Sequence, residues 1–420
     1  MSRISAVSRH SAAGQFRLWM RRGGALVATM LALLLIPATP AQATWVRDAE
    51  WWLDDYGFTQ AWNVTQGDGV LVAVIDSGIA DVADLAGAVV GGADFSGVGS
   101  ADGRTPVGVQ LNHGTLVASV LAGRGTGNGI LGTAPQAQLL SASVGFGGVS
   151  EISPDDQVAA AIRWSVDQGA RVINMSITRN TLDWPESWDQ AMLYAFDHDV
   201  VVVAASGNRG SGTDEVGAPA TMPGVLAVGG FDRNGEASWD ASAQGITIGV
   251  TAPAEDLIGI NRFGDPQSWA GSSGATPIVS GLVALIRAAH PELDAANVIQ
   301  RVLATATPVG TVPSPIYGYG RINASAAVTD PVASVTENPM GSLAEWIRVN
   351  RRAQSTSTAT APPTSTPAPL PLAGFTWPPI VFFLQWWGIP LAFVLGFASL
   401  IGLGAAAVTR RVRRHRGGRS

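Results

Sequence analysis

The sequence contains no cysteine and no lysine, and charged residues make up only 14% of its 420 residues. The absence of cysteine excludes disulfides, metal sites built from thiolates and a cysteine nucleophile. Hydrophobic residues account for 46% of the chain. A chain that is so apolar and so lightly charged is typical of a folded protein, which excludes an intrinsically disordered one.

Positive charge is scarce in the middle of the chain. Residues 44–352 carry 15 arginines against 32 acidic residues, which gives this stretch a formal charge of −17. The other arginines lie at the ends, five in residues 1–43 and six in residues 409–420, where no acidic residue occurs. Binding to a phosphate backbone requires clustered cations that displace counterions. The sequence therefore predicts no nucleic-acid partner.

The first 43 residues have the layout of a secretory signal peptide. Their five arginines precede the apolar run ALVATMLALLLI at 25–36, and the small-residue pattern AQA follows at 41–43. This order predicts a signal peptide, residues 1–43, that is removed from the mature protein. The apolar run is short for a bilayer span. An uncleaved N-terminal anchor is the alternative.

A second apolar segment lies near the C-terminus, at 380–408. Its 19 residues from 390 onward would form a helix of roughly 28 Å, close to the thickness of the hydrocarbon core. The basic tail 409–420 follows at once, which predicts a cytoplasmic tail and an outward-facing stretch 44–379. We therefore expect one C-terminal transmembrane helix, with a buried core helix as the alternative. Residues 336–379, rich in proline, serine and threonine, are expected to form a linker.

Between residues 65 and 335, strand-like and helix-like stretches alternate. Apolar runs typical of buried parallel strands occur at Val70–Ile75, Leu139–Val144, Arg171–Met175, Val200–Ala204 and Val225–Val228. Helical stretches are predicted at 116–121, 154–168, 187–197 and 277–289. This alternation predicts an α/β domain with a mostly parallel sheet flanked by helices. Ligand sites in such sheets lie at the carboxyl ends of the strands.

Two polar residues near these strand ends could act together. Asp76 ends the first run, where a carboxylate can accept the Nδ1 proton of an imidazole. Capping of a turn is its alternative role. His113 begins a helical stretch, and the outward-facing region has only two other histidines, His198 and His290, both expected at helix ends. His113 is thus the best candidate for a histidine base, although a structural role stays open.

A serine and an asparagine complete the candidate set. Ser273 lies in GSSGATP at 271–277, directly before an apolar helix. Its small neighbours leave the hydroxyl uncovered, and the N-terminus of a helix favours a nucleophile whose intermediate is an oxyanion. Asn208 follows the run at 200–204, where its amide could donate to that oxyanion. A helix cap and an ordinary turn are the respective alternatives.

The order of these motifs resembles that of the subtilisin-like serine proteases, peptidase family S8. The chain carries VAVIDSG at 72–78, HGT at 113–115, ASGN at 205–208 and GSSGATP at 271–277. The order Asp, His, Ser distinguishes this family from other serine hydrolases. The wider layout, with a signal peptide, a linker, one membrane helix and a basic tail, resembles the mycosins. Those are the subtilases associated with type VII secretion systems.

The resemblance implies a role for each matched residue and a subtilisin-like fold. Asp76 would orient His113, His113 would act as general base and acid, and Ser273 would attack the scissile carbonyl. The side chain of Asn208 and the N–H of Ser273 would bind the oxyanion. The implied substrate-binding residues are Asn174, Met175, Ser176, Ile177, Ala205, Ser206 and Gly207. No cofactor is implied, and no matched motif places ligands for a metal.

The sequence departs from the family pattern in three places. Ser272 stands where threonine is usual, Gly274 stands where methionine or another larger apolar residue follows the nucleophile, and Thr178-Arg179-Asn180 replace glycines. Glycine at 274 could loosen the turn that holds Ser273 or could permit a closer backbone approach. These departures motivate one alternative, a catalytically weak or inactive subtilase that is a structural component of the secretion complex. A serine esterase or amidase is the other.

The N-terminal extension, residues 44–64, is too short to be the inhibitory prodomain of secreted subtilisins, because chains below about 40 residues rarely build a core. It contains tryptophans at 45, 51, 52 and 62. We expect it to wrap along the catalytic domain, 65–335, rather than inhibit it. The predicted protein is a membrane-anchored, extracytoplasmic serine endopeptidase that cleaves secreted proteins and is a partner of a type VII secretion membrane complex.

Overall fold

The computed structural model describes residues 41–356, apart from 149 and 151. The predicted signal peptide up to residue 40 and the linker beyond 356 lie outside the described residues, as do the predicted transmembrane helix at 380–408 and the tail at 409–420. These segments remain predictions from the sequence.

The strands of the described chain build one large sheet and one small one. They are β1 (Leu71–Asp76), β2 (Val89–Asp94), β3 (Gln138–Ser143), β4 (Val172–Met175), β5 (Val201–Ala205), β6 (Leu226–Phe231), β7 (Ile248–Pro253), β8 (Leu257–Ile260) and β9 (Pro266–Trp269). The first seven pair in parallel in the order β2-β3-β1-β4-β5-β6-β7. Strands β8 and β9 form an antiparallel pair. All parallel strands end at the same edge, which therefore collects the loops that follow them.

Helices cover both faces of the parallel sheet. They are α1 (Ala41–Ala49), α2 (Trp52–Asp55), α3 (Phe58–Ala61), α4 (His113–Ala122), α5 (Pro154–Asp167), α6 (Glu186–Asp197), α7 (Ser272–Ala289), α8 (Ala295–Ala304), α9 (Ala324–Thr329) and α10 (Leu343–Thr356). Alternate residues of β1 point to opposite faces: Val72 and Val74 join the core under α4 and α7, whereas Ala73 and Ile75 join the core under α5 and α6. This double cover explains why the strands read as continuous apolar runs.

The predicted α/β class with a mostly parallel sheet is confirmed. The five predicted strands correspond to β1, β3, β4, β5 and β6, with ends that differ by three residues at most. The sequence does not single out β2 and β7. In β2 the pair Gly91-Gly92 interrupts the apolar run, and β7 mixes glycine, threonine and proline with its three apolar residues.

Helix α7 begins at Ser272, five residues before the predicted start at Pro277. Ser273 therefore lies in the first turn of the helix and not in the loop before it. Pro277 is the sixth residue of this helix and has no N–H, so the carbonyl of Ser273 lacks its usual partner four residues on. Helix α7 is long and apolar enough to cross a membrane, but it is mostly buried, so its apolar character reflects the core.

The predicted linker begins too early at residue 336. Residues 343–356 form α10, which packs on α6. The indole rings of Trp346 and Trp184 lie 4.4 Å apart, and the guanidinium of Arg351 pairs with Asp189 at 2.8 Å. The first part of the predicted linker thus belongs to the folded body, because Leu343, Trp346 and Ile347 present one apolar side of a helix.

The N-terminal extension lies against the core of the domain. Five of its side chains are fully buried: Val46, Trp52, Leu53, Phe58 and Ala61. The indole N–H of Trp62 donates to the carbonyl of Thr133 at 3.0 Å, and the N–H of Leu131 donates to the carboxylate of Glu50 at 2.8 Å. Apolar packing and hydrogen bonds therefore both hold the extension against the helices and loops that cover the sheet.

We expect Trp52→Ala to lower the free energy of unfolding by about 3–5 kcal/mol, because it removes a large buried ring and leaves a cavity. Trp45→Ala is the matched control, since Trp45 is 46% exposed, and it should change stability by no more than about 0.5 kcal/mol. Denaturant unfolding of the two purified variants measures both values. If Trp52→Ala changed stability as little as is expected of Trp45→Ala, the extension would not stabilise the fold.

Candidate active site

A carboxylate and an imidazole meet at the carboxyl end of β1. Asp76 is the last residue of that strand and is 2% exposed, and His113 is the first residue of α4. His113 Nδ1 lies 2.8 Å from Asp76 Oδ1 and 2.9 Å from Oδ2. Because a carboxylate only accepts hydrogen bonds, Nδ1 is assigned the proton and Nε2 is free to accept one. A general base needs this tautomer.

The backbone around this pair fixes its geometry. The N–H of Gly114 donates to the hydroxyl of Ser77 at 3.0 Å, which joins the start of α4 to the loop after β1. Gly78 has φ +105°, and a Cβ added to Gly114 would lie 2.4 Å from the Gly78 carbonyl oxygen. Larger residues at 78 or 114 would be strained or would force the loop and the helix apart. The close approach sets the spacing between Asp76 and His113.

Two opposing effects set the pKa of His113. Burial lowers it, but the negative charge of Asp76 and its hydrogen bond raise it by more, so the pKa of His113 lies above its ordinary value of 6.5. The ring of Trp269 packs against the imidazole in a T-shaped arrangement, with ring centroids 5.9 Å apart. The imidazole is thus held in place and is neutral only above this raised pKa.

Ser273 lines the same cavity as the Asp76–His113 pair. The cavity has a volume of about 720 Å³ and lies at the carboxyl edge of the sheet. Ser273 is the second residue of α7 and is 9% exposed. Its hydroxyl makes no hydrogen bond within the described part of the chain. Hydrogen bonds to a nucleophile are often long in ligand-free structures and shorten when substrate binds.

The amide of Asn208 has a defined orientation. Its Oδ1 accepts a hydrogen bond from the N–H of Ser272 at 2.8 Å. Because a backbone N–H can only donate, the atom that faces it is the oxygen, and Nδ2 points the other way. A Cβ added to Gly271, which has φ +139°, would lie 3.1 Å from both Asn208 Nδ2 and Ser273 Oγ. The glycine thus leaves open a small space that an amide donor and a hydroxyl share.

An acyl carbonyl placed in this space would meet a nucleophile and two hydrogen-bond donors. The hydroxyl of Ser273 could attack its carbon, while Asn208 Nδ2 and the N–H of Ser273 could donate to its oxygen. The N–H of Ser273 is available because the first N–H groups of a helix have no partner within it. The arrangement is therefore suited to acyl transfer through an oxyanion.

Comparison with known proteins gives the family. The Subtilase family model matches residues 67–320. The chain belongs to the subtilase family. Mycosin-3 from Mycobacterium tuberculosis is 33% identical over 327 residues, which cover 64% of this chain and 69% of that protein. Alkaline elastase YaB from a Bacillus species is 33% identical over 262 residues, or 62% of this chain and 65% of that protein.

Solved structures of mycosins are also similar to this subtilase. One is described as a serine protease MycP1, an essential component of the type VII (ESX-1) secretion system. Its TM-score is 0.57 at 31% identity, over 66% of this chain and 88% of that one. The chain is thus a mycosin-type, subtilisin-like protease, as its motifs suggested.

The structure explains the glycine that follows Ser273 in this subtilase. A Cβ added to Gly274 would lie 2.3 Å from Leu257 Cδ1 and 3.4 Å from the ring of Trp269. The space of the usual larger side chain is therefore filled by Leu257, which comes from β8. Gly274 is part of helix α7. The sequence suggested that this glycine could either loosen the turn or permit a closer backbone approach, and the structure shows the closer approach.

The predicted substrate-binding residues of the subtilase divide into two groups. Four line the cavity: Ser176, Ile177, Ala205 and Gly207. Asn174, Met175 and Ser206 are buried and are not among the residues that line it, so their role in substrate binding stays a prediction. Asn174 Oδ1 accepts from the hydroxyl of Ser280 at 2.9 Å, so this side chain ties β4 to α7. Side chains inside a doubly covered strand point into the helical layers, whereas positions at or beyond its last residue, such as Ala205 and Ile177, reach the cavity.

Several residues that line the cavity could not be identified from the sequence. They belong to no motif and only lie near one along the chain. Trp269 precedes the GSSGATP segment and packs on His113. Asn112 Nδ2 donates to Gln267 Oε1 at 3.3 Å, across the cavity wall next to His113. Such contacts depend on which loops meet at the sheet edge, and periodicity does not reveal that.

The two other histidines in the described part of the chain, His198 and His290, have structural roles. His198 Nδ1 lies 2.8 Å from the carbonyl of Tyr194, and His290 Nε2 lies 2.7 Å from the carbonyl of Val328. Both residues end helices, as expected, and neither lines the cavity. Within residues 41–148, 150 and 152–356, no cluster of three His, Cys, Asp or Glu side chains could hold a metal ion.

Asn208→Asp should reduce kcat by about 10²–10³ or more with a small change in KM, because a carboxylate oxygen replaces the N–H donor that faces the oxyanion. The fold should persist, since the new side chain can still accept from Ser272. Peptide hydrolysis is the measurement. Asn63→Asp adds the same charge on an exposed residue and serves as the control. Unchanged turnover in N208D would exclude Asn208 from oxyanion binding.

Asp76→Asn should lower turnover by about 10⁴, because an amide does not hold the imidazole in the required tautomer. The activity of the wild type should fall as the pH drops through the raised pKa of His113, above about 6.5. Without the charge of Asp76, burial should dominate and the residual activity should persist to lower pH. Profiles of kcat/KM from pH 4 to 9 measure both effects. A flat wild-type profile down to pH 4 would exclude His113 as the base.

Proposed function

We propose that this subtilase is a membrane-anchored serine endopeptidase that cleaves secreted proteins outside the cytoplasm in connection with a type VII secretion complex. The observation that carries the proposal is the buried Asp76–His113 pair, 2.8 Å apart, at a cavity that Ser273 and Asn208 also line. A peptide-bond hydrolase needs a base, a nucleophile and an oxyanion site in one cleft. These four residues supply them.

In the proposed acylation step, the hydroxyl of Ser273 attacks the peptide carbonyl and its proton passes to Nε2 of His113. The carbonyl oxygen becomes an oxyanion, to which Asn208 Nδ2 and the N–H of Ser273 donate. The C–N bond then breaks, and the leaving amine takes the proton from His113. Asp76 stabilises the imidazolium throughout, since its charge already favours the protonated ring.

Deacylation repeats this sequence with water. His113 takes a proton from the water, whose oxygen attacks the acyl–Ser273 ester. The same two donors bind the second oxyanion. The ester bond then breaks, Ser273 regains its proton from His113, and the carboxyl product leaves. No atom from outside the substrate, water and the named residues takes part.

The close packing of Gly274 supports an active enzyme over an inactive scaffold. An inactive subtilase was a reasonable alternative because glycine could loosen the segment that holds Ser273. Leu257 fills the space beside Gly274, and the carbonyl of Gly271 accepts from the N–H of Gly274 at 2.8 Å. The nucleophile therefore lies in a packed helical turn.

The location of the proposed enzyme is argued from the sequence. Three predicted features support a domain outside the cytoplasm that is attached by one helix: the signal peptide at 1–43, the apolar segment at 380–408 and the arginines that follow it. The secretion role comes from the relatives, since MycP1 is described as an essential component of a type VII system. The proposed partners are protein substrates and that membrane complex.

The N-terminal extension is proposed to stabilise this enzyme without inhibiting it. None of the described residues that line the cavity comes from 44–64. The extension instead contacts residues such as Thr133 and Asp256, through the indoles of Trp62 and Trp51. A substrate could enter the cavity with the extension in place.

Labelling with a fluorophosphonate probe tests the proposal, because the probe reacts with a serine that a nearby base activates. The intact protein should be labelled, and Ser273→Ala should abolish labelling. Ser268→Ala, which removes an exposed serine five residues away, should leave it intact. Hydrolysis of a peptide library should accompany labelling.

Two outcomes would contradict the proposal. Absence of labelling in the intact wild type would favour the structural component of a secretion complex. Labelling that depends on Ser273, together with hydrolysis of small esters and no cleavage of any peptide, would favour an esterase or amidase.

A further inference from the structure

The cavity extends past Ser273 and Asn208 into a recess between two loops. One loop follows β4 and contributes Thr178 and Asn180, and the other follows β5 and contributes Thr213. If the carbonyl oxygen of a bound peptide points at Asn208, the side chain of the same substrate residue is the group closest to this recess. The size and polarity of the recess therefore determine which residue can precede the cleaved bond.

The inner wall of the recess is formed by direct contact between loops. A Cβ added to Gly217 would lie 1.9 Å from the carbonyl oxygen of Arg179 and 2.4 Å from Thr178 Oγ1. The loop after β4 thus lies directly against the backbone at Gly217. The N–H of Arg179 donates to the carbonyl of Ala218 at 2.7 Å, which fixes the contact. The two segments therefore touch at this point, and the recess does not extend between them.

A side-chain hydrogen bond closes the recess on another side. The hydroxyl of Thr213 donates to Asn180 Oδ1 at 2.5 Å and so joins the two loops. A Cβ added to Gly207, which has φ +101°, would lie 2.4 Å from Thr213 Cγ2. The methyl group of Thr213 therefore packs against the backbone next to Asn208. Hydroxyl, methyl and amide groups form these walls.

The recess offers no charge to a substrate. Among the described residues that line the cavity, the only ionisable side chains are Asp76 and His113, which bind each other. The guanidinium of Arg179 is engaged elsewhere, since it pairs with Asp155 and lies over the ring of Trp188 at 5.6 Å. A charged substrate side chain would lose its hydration without gaining a counter-ion.

We propose that this recess selects glycine, alanine or serine as the residue immediately before the cleaved bond, and that Thr178 sets the limit on size. The proposal rests on the endopeptidase function proposed above and names its substrate class. Thr178 has this effect because its side chain stands beside Gly217, where a glycine would leave the space open. It is a specificity-determining residue and takes no part in the chemistry.

The test uses the full-length enzyme and a series of fluorogenic peptides that differ only in the residue before the cleaved bond. The series contains alanine, serine, leucine, phenylalanine, lysine and glutamate. We expect kcat/KM for alanine and serine to exceed that for phenylalanine and lysine by about 100-fold or more, since each excess group in a closed pocket costs about 10–200-fold.

A variant separates the role of Thr178 from general strain. Thr178→Gly should raise kcat/KM for the phenylalanine peptide at least about tenfold relative to the alanine peptide. Thr181→Gly is the matched control, because Thr181 lies in the same loop, is exposed and does not line the cavity. It gives the loop the same glycine flexibility and should leave the ranking of the peptides unchanged.

Fluorophosphonate labelling, run in parallel and competed with peptide aldehydes that end in alaninal or phenylalaninal, distinguishes the possible failures. Labelling that depends on Ser273 but is blocked equally by both aldehydes would overturn the size limit and leave the endopeptidase proposal standing. An equal response of T178G and T181G would overturn the role of Thr178. Absence of labelling would overturn the recess proposal together with the proposed function. Stronger protection by alaninal, with this preference reduced only in T178G, would support it.

Discussion

A buried hydrogen bond between Asp76 and His113 is the interaction on which the rest of the site depends. It joins the end of β1 to the start of α4, residues 37 positions apart in the sequence. Burial disfavours a charged imidazole, but the same low-polarity surroundings strengthen the attraction of the neighbouring carboxylate, and the net result is a raised pKa for His113. The fold thus makes the ring a better proton acceptor, provided that Asp76 stays in contact. The glycines at 78 and 114 maintain that contact by letting the two backbones approach.

A second set of hydrogen bonds fixes the position of Ser273, the proposed nucleophile, relative to the sheet. The hydroxyl of Ser272 accepts from the N–H of Gly207 at 3.1 Å, while the N–H of Ser272 donates to Asn208. The residue before the nucleophile therefore binds the end of β5 and at the same time aims the amide of Asn208. Serine at 272 keeps the hydroxyl that the usual threonine would provide. Movement of α7 would disturb the nucleophile and the oxyanion donor together, so the two functions share one structural support.

The sequence was sufficient to predict the parts of the site that lie near the end of a strand or a helix. Asp76, His113, Asn208 and Ser273 each follow or begin a periodic segment, and parallel strands bring such ends to one edge. It was insufficient where the outcome depends on contacts between loops. Residues 174–175 were assigned to the cavity because their segment matched a family motif, although their strand is covered on both faces. The expected start of helix α7 was Pro277, but the helix begins at Ser272 and includes this proline as its sixth residue.

Two of the departures from the family pattern show that the effect of a motif residue depends on its neighbours in space. At 274 a side chain is missing from the nucleophile helix, and Leu257 from β8 fills the volume. At 178 a side chain is present where glycine is usual, and it lies against Gly217, a residue with no side chain of its own. In both cases a side chain from one segment occupies the space that a glycine in another segment leaves free, because a packed interior tolerates neither a void nor an overlap. The first exchange restores the packing around Ser273. The second leaves Thr178 in contact with Gly217, the contact from which we propose that the recess admits only small substrate side chains.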